Sequence, residues 1–174
     1  MGKDTNLLII GAGQYGHVVK EIAELMGCYE KIDFVDDNSD ESIGRISDLD
    51  ELSNMYSNVI VAIGNANIRK SIMAELHQYN IISVIHSRAV ISKNCVIGRG
   101  CVVEAGAVIN TDAQLEEGVL VSAGAVVNHN SKVGSCSHID CNSVVESGCI
   151  VPSALKIHSG TVFTKNMSKG YEAD

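Results

Sequence analysis

A repeat of six residues governs the second half of this sequence. From Ala89 onward a large apolar side chain returns at every sixth position without a gap: Ile91, Ile97, Val103, Ile109, Leu115, Val121, Val127, Val133, Ile139, Val145, Val151, Ile157 and Phe163. In most units a small residue stands two places earlier, and Gly, Asn or Asp stands one place before that. Helical patterns repeat every 3.6 residues and strand patterns every two, so neither explains a period of six.

Such a repeat is typical of a parallel β-helix, in which each unit supplies one short strand and one corner. The large and the small apolar side chains point inward, and Gly, Asn or Asp occupies the corner because these residues tolerate a left-handed backbone. We therefore predict an all-β domain of hexapeptide repeats over residues 87–174. The residues before the first inward side chains are expected to form an outward face that favours a partner: Val90, Val96, Val102 and Val108.

The first half has another pattern, in which short apolar runs alternate with segments of helical spacing. Strands are predicted at four places: Asn6–Ile10, Lys31–Val35, 58–63 and 81–85. Helices are predicted behind Gly16, ending at Gly27, and behind Asn67, which is a suitable N-cap. Strands that alternate with helices favour a parallel sheet, here about half the size of a full dinucleotide-binding fold. We therefore predict a small Rossmann-like α/β domain over residues 1–86.

A glycine-rich turn joins the first predicted strand to the first predicted helix. Gly11, Gly13 and Gly16 have the spacing G-x-G-x-x-G, and the helix behind them offers free N–H groups to a phosphate. Asp36 ends the second strand, where a carboxylate in folds of this type accepts from a ribose hydroxyl. The strand ends near Gly13, Asp36 and Gly64 are expected to meet at one edge of the sheet. Nucleotide binding is favoured; the alternative, that the glycines only permit close strand-to-helix packing, stays open.

The composition excludes several classes of protein. The formal net charge is −8 and no stretch concentrates basic residues, so neither a nucleic acid nor an anionic membrane surface is an expected partner. The apolar runs are far shorter than the roughly 20 residues that span a bilayer, and nothing before Leu7 has the pattern of a signal peptide. Six cysteines without an export signal are expected to be reduced thiols. These features predict a cytoplasmic protein.

One group of residues has a spacing that suggests a metal site. Cys136, His138 and Cys141 lie close together in the sequence. Neighbouring hexads point their side chains in different directions, however, and no fourth ligand is evident. We therefore predict that the protein holds no metal.

Four short segments carry a resemblance to a known family: residues 11–16, 34–37, 62–65 and 128–130, which read GAGQYG, FVDD, AIGN and NHN. With the order of the two domains, they resemble the sialic acid O-acetyltransferases and the UDP-bacillosamine-type sugar N-acetyltransferases from about Leu7 to about Ser147. The resemblance implies a left-handed β-helix, a homotrimer, acetyl-CoA between neighbouring coils and a nucleotide sugar held by the α/β domain. It implies that nine residues face the nucleotide and its phosphates: Gly13, Gln14, Tyr15, Gly16, Asp36, Asp37, Gly64, Asn65 and Arg69, of which the last supplies a full positive charge.

The resemblance also assigns the chemistry. His129 follows an apolar pair at a hexad corner, so its imidazole is expected to point outward, and an imidazole is suited to take a proton from an attacking nucleophile. In the family the corresponding histidine is the general base, and a carboxylate beside it orients the ring. Asn130 stands in that place here. An amide holds a tautomer by hydrogen bonding but does not stabilise an imidazolium by charge, which predicts a lower rate.

Two further residues are expected to contact the acetyl donor. His138 matches a family histidine at the donor, and Ser147 stands where a relative's glycine offers its N–H to the thioester oxygen. The chain departs from many relatives in the glycine turn, where Gln14 and Tyr15 replace a Gly-His pair. The segment that closes the CoA end is reduced to residues 168–174.

The sequence therefore predicts an acetyltransferase that uses acetyl-CoA as co-substrate and acetylates the amino group of a UDP-linked amino sugar. Two alternatives remain open. One is O-acetylation of a sialic acid or another sugar by the same base. The other is a non-catalytic trimer that binds nucleotide sugars, in which His129 and His138 are merely exposed corner residues. A nicotinamide-dependent oxidoreductase is disfavoured because about half of the chain consists of hexads.

Overall fold

The structure is a computed structural model that describes residues 3–171 of the 174 in the chain. The chain divides into two compact units, of which the first ends at Val84 and the second begins at Ile85. The boundary expected from the sequence, between residues 86 and 87, lies two residues further along. Among the residues that the structure describes, no helix has both the length and the apolar composition needed to cross a bilayer.

The first unit is a four-stranded parallel sheet with helices between its strands. The strands are β1 (Asn6–Ile10), β2 (Lys31–Val35), β3 (Asn58–Val61) and β4 (Asn80–Ile81), in the order β2-β1-β3-β4. The helices are α1 (Gln14–Met26), α2 (Leu49–Leu52) and α3 (Ala66–Glu75), with 3-10 turns at Lys3–Thr5 and Ile46–Asp48. The chain runs from β1 to β2 on one side and then returns across β1 to β3. This reversal creates a topological switch point at the end of β1, where ligands bind in such sheets.

The centre of this unit is built from β1 and the inner face of α1. Residues 7–10 are fully buried because β1 has a strand on each side. The 3.6-residue period of α1 turns Val19, Ile22 and Ala23 inward. The helix ends at Gly27, as predicted, because a φ of 66° there stops the helix without steric cost.

Several predicted element ends in this unit differ from the structure: α1 begins at Gln14 rather than behind Gly16, and β3 ends at Val61 rather than at residue 63. Helix α3 is capped by Asn65 rather than by Asn67, since the Asn65 side-chain oxygen accepts from the backbone N–H groups of Asn67 (3.0 Å) and Ile68 (3.1 Å). Asn65 has the extended backbone of an N-cap directly after β3, whereas Asn67 already lies in the first turn. The strand predicted at 81–85 is also divided, because β4 stops early and a new strand, β5 (Val84–Ile85), starts a sheet of the coil.

The second unit is a parallel β-helix built from strands of two residues. After β5 these are β6 (Val90–Ile91), β7 (Val96–Ile97), β8 (Val102–Val103), β9 (Val108–Ile109), β10 (Gln114–Leu115), β11 (Leu120–Val121), β12 (Val126–Val127), β13 (Lys132–Val133), β14 (His138–Ile139), β15 (Val144–Val145), β16 (Ile150–Val151), β17 (Lys156–Ile157) and β18 (Val162–Phe163), followed by helix α4 (Lys165–Tyr171). Every third strand joins the same sheet, which gives two sheets of five strands and one of four. Val108 pairs with Val126, eighteen residues later, so three hexads make one coil. The predicted repeat is confirmed, because every inward apolar residue is the second residue of a strand.

The inward side chains of the coil are buried and its corners are left-handed. From β8 to β18 the inward residue of each strand is at most 4 % exposed. Eleven residues that lie three places before an inward residue have φ between 55° and 72°. Nine of them are the Gly, Asn or Asp expected there, and Cys136 and Ala154 adopt the same conformation at a cost of about 1–2 kcal/mol each. The spacing also predicts a corner at Asn166, six residues after Gly160, but this residue lies in α4 instead.

The outward valines do not form the face expected from the sequence. Val90 and Val108 pair in one sheet. Val96 pairs with Gln114 in another sheet, and Val102 is buried in the third. The reason is that the chain turns a corner after each hexad and returns to a given face only after three. The structure instead stacks five valines on the outer side of one sheet, here called the valine column: Val90, Val108, Val126, Val144 and Val162.

Helix α4 closes the edge of one sheet of the coil. The Ser168 hydroxyl oxygen accepts from the Ile150 N–H at 2.9 Å and donates to the Ile150 carbonyl at 3.1 Å. Position 168 is eighteen residues after Ile150, so this side chain replaces the backbone that another coil would supply. An uncovered edge strand would present these groups to other chains, and α4 prevents that at Ile150.

Candidate functional site

In the first unit, the ends of three strands lie side by side. The Gly11 N–H donates to the Val35 carbonyl at 2.9 Å, and the Ala62 N–H donates to the Ile10 carbonyl at 2.8 Å. The glycine turn and the loops after β2 and β3 therefore leave the sheet at one edge, beside the switch point. This is the edge at which the sequence places the nucleotide-binding residues.

The glycine-rich turn contains two packing glycines and one open glycine. Gly11 has a φ of 108°, and a Cβ at Gly16 would overlap the Gly11 carbonyl oxygen, so both positions need glycine for the backbone itself. A Cβ at Gly13 would meet no atom within 4 Å. Gly13 is the N-cap of α1 and has no side chain to cap the first-turn N–H groups. The start of α1 is thus open to an anionic group at Gly13 and Gln14, both exposed, with Tyr15 half-buried behind them.

Two carboxylates hold the loops at this edge. Asp36 accepts from the Ala12 N–H through Oδ2 and from the Asn38 N–H through Oδ1, both at 2.8 Å. Both oxygens are engaged with the backbone, so a ribose contact at Asp36 stays a prediction that relies on their remaining lone pairs. Asp37 is exposed, and its Oδ1 accepts from the Ile46 N–H at 2.9 Å.

The Arg69 side chain is directed into the protein, so the phosphate contact that the resemblance implies stays a prediction. Its side chain is fully buried, and Nη1 donates to the carbonyls of Ile63 (2.6 Å) and Gly64 (3.1 Å). The first turn of α3 points the guanidinium back at the end of β3, where it compensates carbonyl oxygens. Its role is to shape the loop after β3, in which Gly64 is exposed and Asn65 caps α3.

A cleft of about 520 Å³ opens at this edge, here called the strand-end cleft. Its lining is mainly acidic and polar: Ala12, Gly13, Asp36, Asn38, Ser39, Asp40 and Glu41. His17, which the sequence analysis missed, stands beside it with Nε2 3.6 Å from a Glu41 oxygen. The signal for His17 was its place one helical turn after Gly13, since its N–H donates to the Gly13 carbonyl.

In the second unit, His129 lies at the corner after β12 and its side chain is exposed. Its Nδ1 is 2.9 Å from Nδ2 of Asn130, whose φ is 58°. The backbone here is fixed from both sides, because Asn130 N–H donates to Thr111 in the preceding coil and His129 accepts from Gly148 in the following one. The structure thus brings together an exposed imidazole and an amide that can set its tautomer.

Ser147 occupies the same corner as His129, one coil later. The register Val126–Val144 and Val127–Val145 places position 147 in line with position 129. Adjacent coils are about 4.8 Å apart, so the two residues are near neighbours. Within residues 3–171 no hydrogen bond of the Ser147 N–H is found, which leaves this group able to meet an oxyanion.

His138 belongs to a different face of the coil. It lies in β14 with 14 % of its side chain exposed, and its Nε2 is 2.9 Å from the Ser122 hydroxyl and 3.7 Å from Asp140 Oδ1. Asp140 in turn pairs with Lys156 at 3.0 Å. Burial alone would raise the pKa of Asp140, but the Cys141 N–H, Lys156 and His138 outweigh it and lower that pKa to about 2. The contact of His138 with the acetyl donor stays a prediction.

No group of three or more His, Cys, Asp or Glu side chains in the described part of the chain is arranged to hold a metal ion. Cys136 is buried at a left-handed corner, whereas Cys141 is partly exposed. The two thiols and His138 therefore have different surroundings.

Comparisons with known proteins agree with this architecture. Residues 6–76 match the family model of the PglD N-terminal domain. The acetyltransferase domain of PglB from Neisseria gonorrhoeae FA1090 is 28 % identical, with a TM-score of 0.83 and 92 % of each chain covered. The same domain in complex with acetyl coenzyme A gives a TM-score of 0.81, with 28 % identity and coverage of 92 % of this chain and 91 % of that one.

A third structure, PerB from Caulobacter crescentus in complex with CoA and GDP-perosamine, shares the fold at 24 % identity. Its TM-score is 0.78, and 91 % of this chain and 88 % of that chain are covered. No curated protein sequence gives a significant match. The predicted fold class, a small α/β domain followed by a left-handed β-helix, and the predicted family resemblance are confirmed.

Proposed function

We propose that this chain transfers the acetyl group of acetyl-CoA to the amino group of a sugar linked to a nucleoside diphosphate. One observation carries the proposal: on the coil, His129 is exposed and paired with Asn130. The chain that holds this pair shares the fold of the PglB acetyltransferase domain over 92 % of its length. The complex of that domain with acetyl coenzyme A supports the predicted donor. PerB, with CoA and GDP-perosamine bound, supports the predicted class of acceptor.

The chemistry assigns one proton to His129. The neutral amine attacks the carbonyl carbon of the thioester, a C–N bond forms, and the carbonyl electron pair moves onto oxygen. Nε2 of His129 takes the proton that the nitrogen loses. The oxyanion then collapses, the C–S bond breaks, and the imidazolium returns the proton to the sulfur. The products are the N-acetylated sugar and free CoA.

The negative charge on the thioester oxygen needs a donor close to His129. The unbonded N–H of Ser147, one coil away at the same corner, is suited to this role. A backbone donor of this kind is worth about 10²–10³ in rate in other acyl transfers. We assign the N–H, and not the hydroxyl, because it is part of the rigid corner.

The strand-end cleft is the proposed site of the nucleotide. Its acidic lining repels phosphates, so the attraction must come from the open N-terminus of α1 at Gly13 and Gln14. Gly64 and Asn65 belong to the loop after β3, which leaves the sheet at the same edge. The sequence predicts UDP as the nucleotide. The residues of the cleft support a site for its phosphates, but they do not select between uracil and another nucleobase.

A homotrimer is the proposed assembly. The valine column is an apolar strip whose first and last members, Val90 and Val162, are 59 % and 47 % exposed. Its third member, Val126, precedes His129 by three residues, so a second copy on this strip would stand beside the catalytic corner. Exposed apolar strips of this kind favour association.

A cytoplasmic location stays a prediction from the sequence.

Replacement of His129 tests the activity. His129→Ala is expected to lower acetyl transfer from acetyl-CoA by about 10²–10⁴, the usual contribution of a general base. His158→Ala, at another exposed corner of the coil, is the matched control and should keep full activity. Products are identified by mass spectrometry after incubation with a panel of UDP- and GDP-linked amino sugars. Unchanged turnover in His129→Ala removes the catalytic assignment.

The same products separate the alternatives. An N-acetyl product survives neutral hydroxylamine, whereas an ester from O-acetylation of a sialic acid or another sugar is cleaved. Asn130 favours a second candidate, a nucleotide-sugar-binding trimer without catalysis, because the charge that stabilises an imidazolium is missing beside His129. That candidate predicts sugar-nucleotide binding by calorimetry with no acetylated product from any acceptor.

A further inference from the structure

A carboxylate stands in line with Asn130 in the neighbouring coil. Position 112 is eighteen residues before Asn130, and the register Val108–Val126 and Ile109–Val127 places the two at the same corner. Both have left-handed backbone, with φ of 57° at Asp112 and 58° at Asn130. Equal backbone conformations one coil apart send the two side chains out in parallel, about 4.8 Å from each other.

Another corner of the coil shows that an amide in this conformation reaches the preceding coil. Asn142 has a φ of 55°, and Gly124 lies eighteen residues before it. The Asn142 side-chain oxygen occupies the space over Gly124 where a Cβ would stand. Gly124 leaves this space free because it has no Cβ, whereas Asp112 has one, so at the His129 corner the two side chains lie beside each other. Side chains eighteen residues apart do bond in this coil, since Asn110 Nδ2 donates to Asn128 Oδ1 at 3.0 Å.

The orientation of the Asn130 amide decides which nitrogen of His129 is the base. With Nδ2 toward the ring, as the structure has it, Nδ1 accepts and the proton sits on Nε2. With Oδ1 toward the ring, Nδ1 carries the proton and Nε2 is left able to accept one. The two orientations differ by a half-turn of the amide, so a third group that prefers the NH₂ end selects between them.

We propose that Asp112 is that group, a positioning residue whose carboxylate accepts from the Asn130 NH₂ and so turns the amide oxygen toward Nδ1 of His129. The inference rests on the proposed function. Asp112 thereby restores, through a neutral amide, the preference for the Nδ1–H tautomer that a carboxylate beside the histidine would impose directly. The chain keeps the orientation of the base without placing a negative charge next to the ring.

Two charged groups near this corner, Glu146 and Lys132, are engaged elsewhere, while the exposed Lys93 lies one coil before Thr111. Glu146, one coil after Asn128, accepts the Lys165 N–H through Oε2 at 3.1 Å. Lys132, on the strand after the corner, pairs with Glu116 at 2.7 Å. Asp112 is exposed, and no hydrogen bond or ion pair of its carboxylate is found within residues 3–171. Its carboxylate is therefore the available acceptor for the Asn130 amide.

The tautomer of His129 is the first test, and it needs no turnover. Nitrogen-15 NMR of histidine-labelled protein distinguishes the two neutral tautomers, and His129→Gln assigns the signal. We expect the Nδ1–H form to dominate in the intact chain and the Nε2–H form to gain in Asp112→Asn, which keeps a residue suited to left-handed backbone. Glu146→Gln is the control and should leave the ratio unchanged. An unchanged ratio in Asp112→Asn overturns the proposal, whether or not the chain is an acetyltransferase.

Kinetics provide the second test through coupling and rescue. Asp112→Asn is expected to lower kcat/KM by about two- to fivefold, as for other solvent-exposed charge interactions. In an Asn130→Ala background the same change should have no effect, because the two residues act as one unit. Asn130→Asp should restore the rate of Asp112→Asn, since a carboxylate then contacts Nδ1 directly. Equal losses in both backgrounds would show that Asp112 acts without Asn130 and would refute the proposal.

Discussion

At the scale of single residues, one motif serves two purposes in this protein. Gly11 and Gly16 permit backbone contact between β1 and α1, while Gly13 faces open space at the start of the helix. The packing interpretation is therefore correct for Gly11 and Gly16, whereas the open space at Gly13 leaves room for the proposed ligand. Each can be tested separately.

We expect Gly16→Ala to destabilise the fold and Gly13→Ala to leave it intact. A Cβ at position 16 presses on the Gly11 carbonyl, and overpacking of this kind costs about 1–3 kcal/mol. A Cβ at position 13 meets no protein atom, so affinity for UDP should fall about tenfold, while Tm should fall much less than in Gly16→Ala because only the N-cap preference of Gly over Ala is lost. Thermal unfolding and calorimetric titration measure the two effects. Equal Tm losses would contradict the distinction.

Arg69 should matter for stability more than for binding. Arg69→Met leaves the Ile63 and Gly64 carbonyls without this donor, and a buried acceptor left unsatisfied costs about 1–3 kcal/mol of unfolding free energy. Lys70→Met, at the next and exposed position, is the control and should change stability by less than about 0.5 kcal/mol. Denaturant unfolding measures the change in unfolding free energy of both variants. Normal stability of Arg69→Met together with impaired UDP binding would show that Arg69 acts in ligand binding instead.

Sequence reasoning could locate residues at corners and strand ends, but it could not find their partners. His129 and Gly13 were identifiable because the repeat and the glycine spacing fix their positions along the chain. The burial of Arg69 depends on how α3 lies against the end of β3, and a single arginine in a helix has no pattern that reveals this. His17 escaped for the same reason, since its neighbour Glu41 comes from a distant loop.

At the scale of elements, the coil is held together by contacts between residues eighteen apart. His138 in β14 pairs with Lys156 in β17, and Asp140 contacts both side chains. Because the register is fixed, a single carboxylate can link two coils. Its contribution should depend on pH.

Asp140→Asn tests this link. The folded state lowers the pKa of Asp140 from 3.8 to about 2, so its stabilisation is full above about pH 4 and is lost as the pH falls toward 2. The variant should lose about 2 kcal/mol of unfolding free energy at pH 7, and the difference from the parent should shrink near pH 3. Glu117→Gln, which breaks an exposed ion pair with Arg99, should cost less than about 1 kcal/mol. A pH-independent difference would argue against the link.

Ser168→Ala tests the closure of the sheet edge by α4. Both backbone groups of Ile150 lose their partner, which should cost about 1 kcal/mol and speed hydrogen exchange at the Ile150 amide. Asn166→Ala, an exposed change in the same helix, should leave that amide protected. Hydrogen exchange followed by NMR distinguishes the variants. Unaltered protection in Ser168→Ala would mean that α4 does not seal the edge.

The strands of the coil were predictable because burial imposes the repeat on the sequence itself. The prediction that consecutive outward valines share one face was wrong. Val96 and Val102 follow Val90 in sequence but belong to the other two sheets of the coil. The cap of α3 was placed at Asn67, although Asn65 alone has the extended backbone that a cap requires. In both cases the residue types were compatible with either assignment, and backbone geometry decided.

At the scale of the whole molecule, the proposed trimer makes a clear prediction. Val144→Asp places a charge within the valine column, one coil after Val126, and should convert trimers into monomers, because an unpaired charge is not tolerated in an apolar interface. Val96→Asp, on another face and 59 % exposed, should leave the assembly unchanged. Sedimentation velocity at micromolar concentration reports both. A parent chain that is itself monomeric would remove the trimer.

The period of the coil also limits how such a protein can change its length. Val108 lies over Val126, so gain or loss of one full coil of eighteen residues would keep all later side chains on their faces. A gain of six residues would preserve the buried apolar pattern, yet it would move every outward residue after it to the next face. Single-hexad duplications would thus fold but separate the valines from one another and from the histidine corner, so we expect evolution to lengthen or shorten this coil only in steps of three hexads.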